Sequence, residues 1–191
     1  MTEYFYFVAS LPSLSLGAAP PIPYRQFAED FPRFLNPGDA RILAAATLEY
    51  PAGGPDPAAH GSAALTAWFQ WDCALRNELA RLRGQELGRD AEAWVHEGFP
   101  YPDAVAAART AFAAPSPLEG EMALGRARWD AMDRLRGTHY FDREALVVYA
   151  LELQLLERLA AFDAAAGSAE YHDLYDAVMA AGSAKRTGEA S

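Results

Sequence analysis

The sequence predicts an all-α protein, a multi-helix bundle of two loosely defined lobes. In the segments Ser62–Gly84 and Phe141–Ala166, apolar residues recur every three or four positions, which is the spacing of one face of an α-helix. Glycine or proline residues stand at the ends of most predicted helices, where they stop a helix without disturbing its interior. With 191 residues, 51% of them hydrophobic, the chain can fill one large core or two small ones.

Residues 1–50 are predicted to form the N-terminal helical lobe, packed on the main body. Tyr4–Ala9 is apolar at odd and even positions alike, so it fits either a short buried strand or the first turns of a buried helix. A proline-rich connector, Leu14–Pro23, follows. Phenylalanines at helical spacing on both sides of Pro32 predict a short helix that is kinked or broken there, and a second short helix is predicted over Gly38–Leu48.

The glycine and proline residues of Tyr50–Pro57 predict a loop and the boundary between the lobes. Residues 62–181 are predicted to form the main helical domain. Its predicted helices are Ser62–Gly84, Asp103–Ala113, Leu118–Arg136, Phe141–Ala166 and a last helix from Ser168 to about Ala181. Residues 182–191 are small and polar and are expected to be a disordered tail.

The charge of the chain disfavours several classes of partner. With 26 acidic and 16 basic residues, the net charge of -10 repels nucleic acid and anionic lipid headgroups. No apolar run reaches the roughly 18 residues of a membrane helix, and the N-terminus has no basic region of a signal peptide, so we expect a cytoplasmic protein without direct membrane insertion. One cysteine, Cys73, predicts neither an internal disulfide nor a thiolate cluster.

Three long predicted helices carry a charged residue in the middle of the apolar face. These residues are Asp72, Arg128 and Glu152, and Arg76 follows Asp72 by one turn. An ionised group in an apolar core must be paired, so we expect a buried network in which Arg128 bridges Asp72 and Glu152, with Arg76 as a second base. The alternative is that one or more of these side chains faces solvent.

The sequence contains no recognisable catalytic, cofactor or metal motif. The four histidines show no helical metal-binding spacing, and phosphate-binding and dinucleotide-binding glycine motifs do not occur. We therefore predict no catalytic residue, no cofactor and no metal. The aromatic residues Phe69, Phe99 and Tyr101 form a possible exposed patch for a protein partner, because rigid aromatic side chains bind at low entropic cost.

Several stretches resemble a bacterial family of unknown function that is encoded in V-type ATPase operons. The stretches are Tyr4–Leu14, followed by Pro20 and Pro21, then Leu75–Leu79, and Tyr140–Asp142 leading into Tyr149–Arg158. The last two stretches are also similar, more distantly, to the C subunit of V/A-type ATPases, an all-helical central-stalk protein without an active site. The motif positions are Tyr4, Leu11, Pro12, Arg76, Asn77, Tyr149, Glu152 and Arg158.

The resemblance implies a non-enzymatic accessory or central-stalk-like component whose partners are V-type ATPase subunits. Such a protein would be peripheral to the membrane through a protein complex. Two alternatives stay open: a small helical enzyme that uses Glu152 or Asp72 as a buried acid or base, and a helical adaptor unrelated to the ATPase.

Overall fold

A computed structural model describes residues 3–51, 55–98 and 100–162 of the chain. This part of the chain contains α-helices and short 3-10 turns and no strand, so the all-α prediction is confirmed. The helices are α1 (Glu3–Ser10), α2 (Tyr24–Asp30), α3 (Pro37–Ala44), α4 (Ala63–Leu87), α5 (Pro102–Phe112), α6 (Pro117–Arg136) and α7 (143–162).

The ambiguous N-terminal segment is helical, as α1. The chain changes from α2 to a 3-10 turn, Phe31–Arg33, around Pro32, as its missing amide donor predicts. Helix α3 ends four residues before the predicted end at Leu48. The reason is tertiary: the Gln154 side chain on α7 accepts a hydrogen bond from Leu48 N at 3.1 Å and donates one to Ala46 O at 2.8 Å, so these backbone groups bond to α7 instead of extending α3.

Helix α4 begins as predicted and runs beyond its predicted end. Ser62 is the N-cap, and its hydroxyl accepts a hydrogen bond from Leu65 N at 3.0 Å. The helix continues through Gly84 to Leu87 and ends at Gly88, where φ is +62°. Gly84 has a packing role, because a Cβ there would lie 2.7 Å from the Cβ of Ala91.

The later helices lie close to their predicted bounds. Helix α6 ends at Gly137, whose φ of +48° suits glycine. Asp142 caps α7, since its carboxylate accepts a hydrogen bond from Ala145 N at 3.0 Å. The predicted helix 168–181 and tail 182–191 lie outside the described residues.

One cluster of buried side chains draws on both predicted lobes. Phe27 and Leu43 from residues 1–50 belong to it, together with Trp68 of α4 and Leu151 of α7. Tyr149 of α7 packs against Phe27 with ring centroids 5.3 Å apart. The two lobes thus share a core among the described residues, and their division stays a prediction. None of the described helices combines the length and hydropathy that a membrane span requires.

Candidate functional site

Asp72 forms a buried ion-pair cluster with two arginines. Asp72 lies on α4 and is fully buried, with 0% of its surface exposed. Its Oδ2 accepts a hydrogen bond from Arg76 Nε at 2.5 Å, and its Oδ1 accepts one from Arg128 Nε at 3.3 Å. Burial lowers the pKa of Arg128, and the charge of Asp72 opposes that shift. The carboxylate therefore joins α4 to α6 through a guanidinium that is itself largely shielded from water.

Glu152 is paired with a different arginine from the one that the sequence predicts. It is 1% exposed on α7 and accepts a hydrogen bond from Arg136, at the end of α6. Burial raises the pKa of Glu152, and Arg136 acts in the opposite direction. The predicted bridge from Arg128 to Glu152 is replaced by two separate clusters. The side chain of Arg136 is 36% exposed, and it is long enough for its guanidinium to reach the buried carboxylate of Glu152.

Both carboxylates are closed off by their arginine partners. A catalytic acid or base needs an open approach to a substrate, within hydrogen-bond reach of the reacting proton. Asp72 has no exposed surface and Glu152 has almost none. This arrangement is typical of structural ion pairs, and it gives the enzyme alternative no support.

An open cavity of about 690 Å³ lies above the Asp72 cluster. Its walls come from α4, α6, α7 and the segments around residues 50 and 95. Four arginines line it, and they come from three helices: Arg76, Arg83, Arg128 and Arg158. Tyr50, Trp94 and His96 supply aromatic surface on the same cavity.

The charge of this cavity has the opposite sign to that of the chain. Its lining holds the four arginines and two acids, Glu49 and Glu121, and Arg158 Nη2 pairs with Glu121 Oε2 at 3.3 Å. When Asp72 is counted with the lining residues, the four arginines and three acids give the cavity a formal charge of +1. The whole chain has a net charge of -10. We name this feature the arginine cavity.

Glu144 is a further buried carboxylate, and the sequence does not predict it. Its Oε2 accepts hydrogen bonds from Ser62 Oγ at 2.6 Å and from Ala64 N at 2.9 Å, so it completes the N-terminal cap of α4. Arg143 pairs with Glu144 at 3.0 Å and with Asp39 at 2.8 Å. The sequence offers the cap residue Ser62 as a signal, but nothing local indicates that a residue 82 positions later completes it.

Asp39 joins this cluster to the N-terminal helix. Burial acts to raise its pKa, but hydrogen bonds from Tyr4 and Arg143 outweigh that effect and hold the pKa below its ordinary value. Tyr4 is a motif position of the resemblance, and its hydroxyl donates to the Asp39 carboxylate. The cluster therefore ties α1, α3 and α7 to the start of α4.

Four exposed aromatic residues form what we name the aromatic patch: Phe5, Tyr6, Tyr140 and Phe141. Their exposed fractions are 47%, 75%, 64% and 48%. Phe5 of α1 lies against Phe141 with ring centroids 4.6 Å apart, and Tyr6 meets Phe5 edge-on at 5.8 Å. Phe5, Tyr6 and Phe141 are thus in ring contact, and Tyr140 is the chain neighbour of Phe141. Exposed aromatic surface of this kind is typical of protein-interaction sites.

The predicted partner-binding residues do not form a surface patch. Phe69 is 3% exposed and packs edge-on against Tyr50, so its predicted exposure is wrong. The five consecutive residues Trp71–Leu75 are all buried, so α4 is enclosed on more than one side, and helical periodicity does not show that Phe69 is buried as well. Tyr101 is half-buried and donates a hydrogen bond to Gln70 Oε1 at 2.9 Å. Phe99 lies outside the described residues.

Two of the three histidines in the described segments, His96 and His139, take part in hydrogen bonds that join parts of the chain. His139 Nδ1 lies 2.5 Å from Asp142 Oδ2 at the start of α7, and the backbone of His96 is held by the side chain of Asn77. Within the described residues, no group of three histidine, cysteine, aspartate or glutamate side chains could hold a metal ion.

A scan against protein-family models, a search of curated proteins and a search of solved structures found no match for this chain.

Proposed function

We propose that this protein is a non-enzymatic accessory component associated with a V-type ATPase and that it acts through protein contacts. The association comes from the sequence resemblance, and the observation that carries the contact role is the aromatic patch. Phe5 and Tyr6 belong to the opening stretch of the resemblance, and Tyr140 and Phe141 begin its last stretch. The two stretches are far apart in sequence and meet at this patch.

Other motif positions support the idea that these stretches form one structural unit. The hydroxyl of Tyr149 donates a hydrogen bond to Pro12 O at 3.1 Å, so the opening stretch is bonded to α7. Asn77 holds the His96 backbone in two directions: its Oδ1 accepts from His96 N at 2.9 Å and its Nδ2 donates to His96 O at 2.8 Å. These motif residues bond segments of the chain to one another, as structural residues do.

The chemistry of the patch indicates the kind of partner. Tyrosine and phenylalanine are enriched at the centres of protein interfaces, where they bury large rigid surfaces. The chain has a net charge of -10, so a partner with an apolar centre and a basic border would be attracted to it and would associate faster. A peripheral position at the membrane, held through such a complex, belongs to the same proposal.

The first experiment isolates the tagged protein at its native expression level from mildly solubilised cells and identifies the retained proteins by mass spectrometry. We expect V-type ATPase subunits in stoichiometric amounts. Recovery of a different partner, or of none, would refute the association.

A pair of variants tests the patch separately. Tyr6→Ser combined with Tyr140→Ser removes the two most exposed rings of the patch, and we expect the subunits to be lost. Leu87→Ser is the matched control, because Leu87 is 67% exposed at the far end of α4 and lies outside the patch. Equal retention by both variants would assign docking to another surface.

A further inference from the structure

The arginine cavity is lined by hydrogen-bond donors that have no acceptor among the described residues. Among the described residues, the side-chain hydrogen bonds of Arg76 and Arg128 both run from Nε to Asp72. The Nη groups of the two guanidiniums have no hydrogen-bond partner among the described residues, and both side chains line the cavity. One carboxylate fixes two guanidiniums side by side, which preorganises their donors.

Arg83 adds a third guanidinium on the same wall. It follows Arg76 by seven residues on α4, which places both on one face of the helix. Its side chain is exposed and has no ion-pair partner within the described segments. Burial lowers the pKa of Arg128 most, and the positive charges of Arg76 and Arg158 act in the same direction, because the guanidiniums of the cavity repel one another. A bound anion would relieve that repulsion.

We propose that the arginine cavity binds a small molecule that carries a phosphate group, with the phosphate held by Arg76, Arg83 and Arg128. The planar fork of a guanidinium donates two parallel hydrogen bonds to phosphate oxygens. The volume of about 690 Å³ is that of a small-molecule site. A nucleic acid does not suit the same cavity, since the chain around it is strongly acidic. This site is independent of the proposed ATPase association.

Trp94 provides a local reporter for the test. It is 76% exposed and lines the cavity. Trp68 and Trp71 are buried in the core, and Trp129 is partly buried against the core and does not line the cavity. Inorganic pyrophosphate, titrated at constant ionic strength, should change the tryptophan fluorescence in a saturable way, and calorimetry should give one site per chain. Trp94→Phe should remove the fluorescence change and keep the calorimetric binding. A fluorescence change that persists in this variant would place the binding elsewhere and overturn the proposal.

A matched pair of arginine variants tests the assigned residues. Arg83→Gln should weaken pyrophosphate binding about tenfold or more, the loss expected for a hydrogen bond between charged groups, and should leave the melting temperature unchanged. Arg126→Gln is the control, because Arg126 is exposed on α6 and does not line the cavity. We expect it to bind as the unmodified protein does.

Three results would overturn the proposal. The first is the absence of saturable binding of pyrophosphate. The second is equal affinity of Arg83→Gln and Arg126→Gln, which would mean that Arg83 does not contact the bound anion. The third is binding of citrate as tight as that of pyrophosphate, which would make the cavity a general anion site rather than a phosphate site.

Discussion

Replacing Arg128 by alanine tests the central feature of the core, the buried charge of Asp72. The variant removes the Nε hydrogen bond at 3.3 Å and the largely buried guanidinium that joins α6 to α4. Removing one partner of a buried ion pair costs about 3–5 kcal/mol, because the other charge stays buried. Asp72 keeps Arg76 at 2.5 Å, so the expected loss lies at the lower end, about 3 kcal/mol.

Urea denaturation followed by tryptophan fluorescence measures this loss as a difference in the free energy of unfolding. In a chain of this size, a loss of about 3 kcal/mol lowers the melting temperature by about 6–12 °C. Arg126→Ala is the control on the same helix, since its side chain is exposed, and we expect no measurable change.

A double variant separates the stranded charge from lost packing. Arg128→Met together with Asp72→Asn removes both charges and keeps most of the volume, and we expect it to recover a large part of the lost stability. A change below about 0.5 kcal/mol in Arg128→Ala would refute the reasoning, because it would mean that water reaches Asp72 as soon as Arg128 is removed.

Three further variants test the remaining buried contacts. Burial raises the pKa of Glu152 above 4.5 in the folded protein, so the stability that its protonated form contributes is lost as pH rises through the folded pKa. Urea denaturation from pH 4 to pH 8 should therefore show that the unmodified protein loses stability relative to Glu152→Gln as pH rises. Gly84→Ala should destabilise by about 1–3 kcal/mol in thermal unfolding, because the added Cβ would lie 2.7 Å from Ala91 Cβ; a stabilised variant would mean that this contact relaxes freely. Glu144→Ala should lower the free energy of unfolding by about 2–3 kcal/mol, because it leaves the buried donors Ser62 Oγ and Ala64 N without an acceptor. A loss no larger than that of Glu86→Ala, which removes an exposed acid, would contradict this.

The sequence predicts the helices well because their signals are local. Ser62 and Asp142 cap α4 and α7 close to the predicted starts of these helices, and Gly137 follows the predicted end of α6 with a positive φ. The errors lie where a distant residue decides the outcome. Helix α3 stops early because Gln154 bonds to the backbone beyond it. Gly84 lies inside α4 and not at its end, and the close approach of Ala91 explains why this position is a glycine.

The candidate site shows the same division between local and distant signals. The central positions of Asp72, Arg128 and Glu152 on apolar faces correctly predict that their side chains are buried. Helical periodicity gives the face of a residue but not its partner on another helix, so it does not identify Arg136 as the partner of Glu152. The arginine cavity has no sequence motif, since its four arginines come from three helices and meet only in the folded chain.

The number of arginines around Asp72 separates a structural role from a binding role. Asp72 carries one negative charge and pairs with two guanidiniums, so the cluster has one positive charge in excess. Burial lowers the pKa of Arg128 most, and repulsion from Arg76 acts in the same direction. A fold that needed only to neutralise Asp72 would gain nothing from Arg83, which stands seven residues further along the same face of α4. The excess positive charge becomes favourable when an anion is present, because the same guanidiniums then share two negative partners. The stabilisation of this cluster should therefore depend on the ligand, and pyrophosphate should raise the melting temperature of the unmodified protein more than that of Arg83→Gln.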